Sequence, residues 1–221
     1  MKQISTNTYW VEGLRSGNVY VLKTASGLCL IDSGMPGDVK KILTQIEDQG
    51  FAPNSIQYVV LTHSHSDHRG GVSEIVRLSG AQVLAHREEK PYIEGTKGLP
   101  TGSVFQKIFM WFEDRFAGKE KGIIVDRELV DGEKLDEIQG LQVLHVPGHT
   151  PGSICLYQKN NRILFMGDLL FNGNPFTGHG GLRFAPRMLS VNPDGVIKSA
   201  KAISTIPVRI LCPGHGIPIS R

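Results

Sequence analysis

The first third of the chain switches between two kinds of apolar spacing. "NVYVLKT" (18–24) and "GLCLIDSG" (27–34) are short apolar runs bounded by Gly, Asn and Asp, which predicts two neighbouring strands. "DVKKILTQIEDQG" instead places Val39, Ile42, Leu43 and Ile46 on one face at helical spacing, with Asp38 as N-cap and Gly50 as the stop. "IQYVVL" reads as a strand again. The polar stretch "THSHSDH" (62–68) follows it directly and leads into "GGVSEIVRLSG", where Val72, Ile75, Val76 and Leu78 suit another helix. The histidines therefore occupy a strand-to-helix loop.

Further on, "LQVLHVPGHTPGSICLYQ", "RILFMGD" and "VRILCPGHG" are each an apolar strand that delivers a polar residue into a Gly-rich loop. One device thus recurs four times, with His63, His149, Asp168 and His215 at strand exits. Loops at one edge of a sheet scaffold are where functional groups are usually presented. The alternation of strands and helices predicts an α/β protein. Residues 91–130 are the least patterned, apart from a helix expected at Ser103–Phe116. Ser103 and Gln106 form its capping box, and Gly118 is its terminator. Its residues Phe105, Phe109, Trp111 and Phe112 belong to an apolar face wider than one contact needs. Core packing, a hydrophobic lid and a homodimer surface all fit it.

Composition narrows the class. The chain has 221 residues, 40% of them hydrophobic and 20% charged, with a net charge of +3, which suits a globular protein with a sizeable core. One domain spanning 1–221 is expected, with the aromatic helical insertion at about 91–130. The absence of a basic run argues against a nucleic-acid partner. No apolar run approaches membrane-spanning length, so no membrane association is expected. The N-terminus lacks the apolar segment of a secretory signal, which predicts a cytoplasmic protein. Cys29, Cys155 and Cys212 are odd in number, far apart and set in apolar runs, so they read as buried free thiols.

The chemistry lies in His63, His65, Asp67 and His68. A hexamer of this form would arise by chance in roughly one such chain in two thousand, so coincidence explains it poorly. His63 and His65 can direct their imidazoles to one ion, while Asp67 and His68 turn toward a second position at the start of the next helix. Imidazole with carboxylate is a donor set suited to Zn, and also to Fe or Mn. One hexapeptide cannot close two coordination shells. The remaining donors must come from elsewhere, and the strand exits offer His149, Asp168 and His215.

"LIDSG", "THSHSDH", "PGHTPGS", "FMGD" and "CPGHG" resemble, in order, the five motifs of the metallo-β-lactamase-fold hydrolase superfamily. The resemblance spans Asp32 to His215. It implies a four-layer αββα sandwich with a dinuclear metal site at one edge, between the sheets. His63, His65 and His149 would hold the first ion, Asp67, His68 and His215 the second, and Asp168 would bridge them. Asp32 would support the ligands. His145 and His86 read as structural, whereas Phe171 and His179 are candidates to line the substrate pocket.

The implied activity is hydrolysis of an ester, lactone, thioester or similar acyl bond in a small molecule. Two divalent ions, taken here as Zn2+, would sit about 3.5–4 Å apart and turn a water between them into the nucleophile. Asp67 would relay a proton. The Asp-His-His second set is similar to the glyoxalase II-like and lactonase-like branch. The chain stops six residues after His215, where glyoxalase II continues into a helical domain, and it carries Phe171 where lactonases of this fold carry a tyrosine. A mononuclear iron persulfide dioxygenase is the main alternative, with a phosphodiesterase and a non-catalytic metal binder behind it.

Overall fold

The computed structural model describes residues 1–102, 107, 122–173 and 180–220. Two sheets form its centre. The first contains, in chain order, β1 (Lys2–Ser5), β2 (Thr8–Trp10), β3 (Tyr20–Lys23), β4 (Leu28–Ile31), β5 (Ile56–Leu61), β6 (Gln82–His86) and β7 (Arg127–Leu129). β1 to β4 pair antiparallel, whereas β4 to β7 pair parallel. Parallel neighbours need crossovers. α1 (Val39–Glu47) supplies the one from β4 to β5, and α2 (Ser66–Arg69) with α3 (Val72–Ser79) the one from β5 to β6; a short α4 (Lys90–Ile93) follows β6.

The second sheet is built from β8 (Lys134–Leu135), β9 (Leu141–His145), β10 (Ile154–Gln158) and β11 (Ile163–Gly167). A separate hairpin, β12 (Leu170–Asn172) with β13 (Leu182–Phe184), and then α5 (Pro193–Ile203) precede its last strands, β14 (Ile210–Pro213) and β15 (Ile219–Ser220). The order is β15-β14-β11-β10-β9-β8, antiparallel except where β11 meets β14. Asn192 caps α5 by accepting the Gly195 N–H at 3.0 Å.

Strand periodicity explains the layers, because alternate side chains face opposite ways. On β3 and β4, Tyr20, Leu22, Cys29 and Ile31 point inward to Leu141, Val143, Leu156, Ile163 and Phe165 of the second sheet. Their neighbours Val21, Leu28 and Leu30 point outward to Val39, Ile42 and Ile46 of α1 and to Val72 and Ile75 of α3. On the far side, Cys155, Tyr157, Leu164 and Met166 pack with Val196 of α5. Helix, sheet, sheet, helix is the four-layer αββα sandwich expected.

Some local readings are corrected. Asp38 does not cap α1 with its side chain. Its carboxylate instead accepts the Met35 N–H at 3.1 Å, from the preceding turn, and the Arg15 N–H at 3.3 Å, from a segment 23 residues upstream. Leu78 is 39% exposed, since the buried face of α3 runs through Val72 and Ile75. All three cysteines are free and buried, and burial pushes their thiols up. The helix expected at Ser103–Phe116 lies outside the described residues except Lys107, and so does His179. Among the described residues, no helix is long and apolar enough to cross a membrane.

Four strand exits meet at one edge. Ile31 pairs with Val60 and Gly167 with Pro213, so β4, β5, β11 and β14 all end there. The Ile154 N–H donates to Thr62 O at 3.0 Å and ties the sheets together beside the exit of β5.

Candidate metal centre

The structure brings all seven candidate donors together, in two groups. His63, His65, His149 and Asp168 form one; Asp67, His68 and His215 form the other. In each group the donor atoms lie within 4.8 Å of one another. The first group is buried, whereas Asp67 and His215 are partly open at the rim.

Asp168 lies between the groups. Its Oδ2 is 3.2 Å from His149 Nε2 and 3.4 Å from His215 Nε2, and its Oδ1 is 3.2 Å from His68 Nε2. One carboxylate thus faces histidines of both. His65 turns Nδ1, not Nε2, toward the cluster, 2.9 Å from His149 Nε2. His215 Nε2 is 3.2 Å from Asp67 Oδ2, which closes the second group.

The opposite ring nitrogens of His63, His68 and His149 are held by neighbours. His68 Nδ1 donates to Asp32 Oδ2 at 2.8 Å, and Asp32 also accepts the Thr62 N–H at 2.7 Å and the Thr62 hydroxyl at 2.8 Å. With its hydroxyl proton used there, Thr62 accepts from His63 Nδ1 at 3.1 Å. Ser190 Oγ does the same for His149 Nδ1 at 3.3 Å. Such bonds fix the tautomer and leave the other nitrogen free to bind a metal. Asp32 has a positive φ of 62°, a conformation asparagine and aspartate tolerate better than most residues.

The protein's own groups leave some polar atoms of the cluster stranded. Among the described residues, His63 Nε2, His68 Nε2 and Asp168 Oδ1 are buried without a hydrogen-bond partner. An unpaired buried donor or acceptor costs about 1–3 kcal/mol, so atoms left this way in both groups need partners beyond the protein's own hydrogen bonds. Nitrogen and oxygen donors in this arrangement fit divalent cations.

Electrostatics separate the two groups. Burial, reinforced by neighbouring histidines, lowers His63, and lowers His65 to about 3, so both rings are neutral at physiological pH. Burial would also lower His68, but Asp168, Asp67 and Asp32 outweigh it and hold that ring above its ordinary value. The same contest, won by Asp168 and Asp67, raises His215 to about 10. For Asp168, burial raises the carboxyl and the surrounding His215, His68 and His149 bring it well below the usual range.

The remaining candidates flank this cluster. Phe171 is buried, with its ring 4.4 Å from that of His215. His86 and His145 stack at 4.0 Å, away from the donors. His145 Nε2 donates to Pro151 O at 2.9 Å, and buried Glu89 accepts the Gly152 N–H at 2.7 Å, so both brace the loop that carries His149. A depression of about 720 Å³ lined by Lys23, Lys134 and Lys159 lies at the opposite sheet edge, and none of the seven donors lines it.

A family model for the metallo-beta-lactamase superfamily matches residues 13–215. The chain belongs to that superfamily. Among similar proteins, the probable metallo-hydrolase YflN of Bacillus subtilis is 24% identical over 215 residues, covering 92% of this chain and 81% of that protein. A hydroxyacylglutathione hydrolase of Pelagibacter ubique is 31% identical over 144 residues, which is 65% of this chain but 46% of the relative. The solved structure of TTHA1623 in a di-iron-bound form superposes with a TM-score of 0.68 at 29% identity, covering 96% of this chain and 93% of the other. The chain is thus a member of a metallo-hydrolase family, with a His/Asp cluster suited to divalent metal ions.

Thr62, Ser190, Ser16, Asn18 and Tyr20 escaped the sequence reading. Thr62 stands beside the histidine motif, and its position was the one local signal. The others reach the site across 41 to 198 residues of chain, which no spacing rule reports.

Proposed function

We propose that the protein is a dinuclear metal-dependent hydrolase that cleaves an acyl bond, an ester, lactone or thioester, in a small molecule. The observation that carries this reading is the position of Asp168, whose two oxygens face histidines of both donor groups. A hydrolytic water needs no serine or cysteine nucleophile if two divalent ions supply Lewis acidity and acidify it. Zn2+ suits the donors, and the di-iron form of a structural relative makes Fe a credible loading too.

The chain's own residues divide the remaining work. His63 and His65 present neutral nitrogens and form, with His149, a buried wall, so that group holds its geometry while substrate comes and goes. Asp67 stands at the rim with Oδ2 3.2 Å from His215 Nε2 and is the carboxylate placed to take and return a proton at the open side. Phe171 walls the His215 side with an apolar ring and excludes water there. It offers no hydroxyl to a developing oxyanion, which favours substrates that need no such donor.

Thioesters have an additional argument, because the Pelagibacter relative is named for hydrolysis of a glutathione thioester. The test is metal analysis followed by turnover on an aryl ester, a lactone, a thioester, a β-lactam and a phosphodiester. Hydrolysis of an acyl substrate with two ions per chain is the expected result. One iron per chain together with oxygen uptake would overturn it in favour of a dioxygenase.

A further inference from the structure

The second donor group has a support of its own, and it comes from the opposite sheet. His215 follows β14 of the second sheet, while Asn18 and Tyr20 stand at the start of β3 in the first. Asn18 is buried. Its Nδ2 donates to Pro213 O at 2.9 Å and to Gly216 O at 2.6 Å, and its backbone N–H donates to Gly214 O at 2.7 Å. Tyr20 adds a bond from its hydroxyl to Pro213 O at 2.7 Å. Trp10 Nε1 donates to Asn18 Oδ1 at 3.0 Å and fixes the amide's orientation. Three residues therefore hold the turn that bears His215.

The same segment touches the rest of the group. Ser16 Oγ donates to Asp67 Oδ2 at 2.9 Å. Gly17 passes so close that a β-carbon there would collide with the Asp67 carbonyl and stand 3.3 Å from His68 Nε2. The first group is braced differently, by Thr62 at His63 and Ser190 at His149.

We propose that residues 16–20 are a clamp for the second cation site: Ser16, Gly17, Asn18 and Tyr20 hold Asp67, His68 and His215 within reach of one ion, and loosening them empties that site selectively. The inference rests on the dinuclear reading above. Asn18 and Tyr20 act through the His215 turn, so they are positioning residues. Metal nuclearity is then set by a hairpin that contributes no ligand.

Cobalt(II) titration of the metal-free protein, followed by absorption, with metal content after dialysis, tests this. The parent should fill in two steps and retain two ions. Asn18→Ala should keep the first step at parental affinity, weaken the second at least tenfold and retain one ion. Should Asn18→Ala fail to fold, Ser16→Ala removes a single exposed hydroxyl and should weaken the second step alone, by about threefold to tenfold. Unchanged steps, or equal weakening of both, would overturn the clamp with the dinuclear reading intact. A parent that binds one ion would overturn that reading, and the clamp with it.

Discussion

Asp32 and His68 are joined by a 2.8 Å hydrogen bond from the imidazole Nδ1 to the carboxylate, inside a pocket where both are buried. Among the described residues the Asp32 side chain bonds to His68 and Thr62, and its influence on the other donors passes through these two. Asp32→Asn keeps the size and loses the charge. It should reduce affinity for the second ion, or turnover, by about 10–100-fold, the usual cost of losing a ligand's hydrogen-bonded support. Isothermal titration with Zn2+ reads this directly, and parental affinity would refute it.

Asp168→Ala removes the carboxylate that faces both groups. Turnover should fall by more than about a hundredfold, beyond the cost of losing a supporting hydrogen bond. Metal content should drop as well. His149→Ala should do the same through the first group; hydrolysis and metal content left at parental levels in either variant would contradict the ligand assignment.

Proton release should differ between the two loading steps. His63 and His65 are already neutral at pH 7, while His68 and His215 hold protons that an incoming cation must displace. Calorimetry at pH 7 in buffers of different ionisation enthalpy should find more protons released with the second ion than with the first. Equal release at both steps would count against the electrostatic division of the site.

Metal-free stability should carry the signature of His215. Burial opposes its protonation, Asp168 and Asp67 overcome that, and the folded value rises from 6.5 to about 10. The folded chain thus keeps a proton that the unfolded chain surrenders, so the contribution is complete below about pH 6.5 and fades as pH climbs toward 10. Thermal melts of parent and His215→Gln, both stripped of metal, should show a Tm gap that narrows over this interval. A constant gap would show that His215 is not stabilised as an imidazolium.

The α/β class and the donors were legible because they depend on local pattern, whereas the four-layer sandwich and the sharing of donors between two ions were expected only from the resemblance to the superfamily. Strand exits at His63, His149, Asp168 and His215 could be read from apolar runs that stop at Gly-rich turns. Edge strands such as β1, β7 and β8 were not, since runs of two to four residues carry too little periodicity. Asp38 misled the reading because a capping position in sequence says nothing of the Met35 and Arg15 N–H groups competing for its carboxylate. Supports such as Asn18 and Ser190 depend on which sheet lies opposite, and that is known only when the chain is folded.

The donors are divided between the sheets: His63, His65, Asp67 and His68 follow β5 of one, while His149, Asp168 and His215 follow strands of the other. Any change that slides or spreads the sheets to admit a bulkier substrate must therefore pull the donors apart. A change of substrate range disturbs the donors least in what hangs from the rim, such as the β12–β13 hairpin bearing Phe171. The spacing of the two sheets is held by the cluster they share, whatever their sequences become.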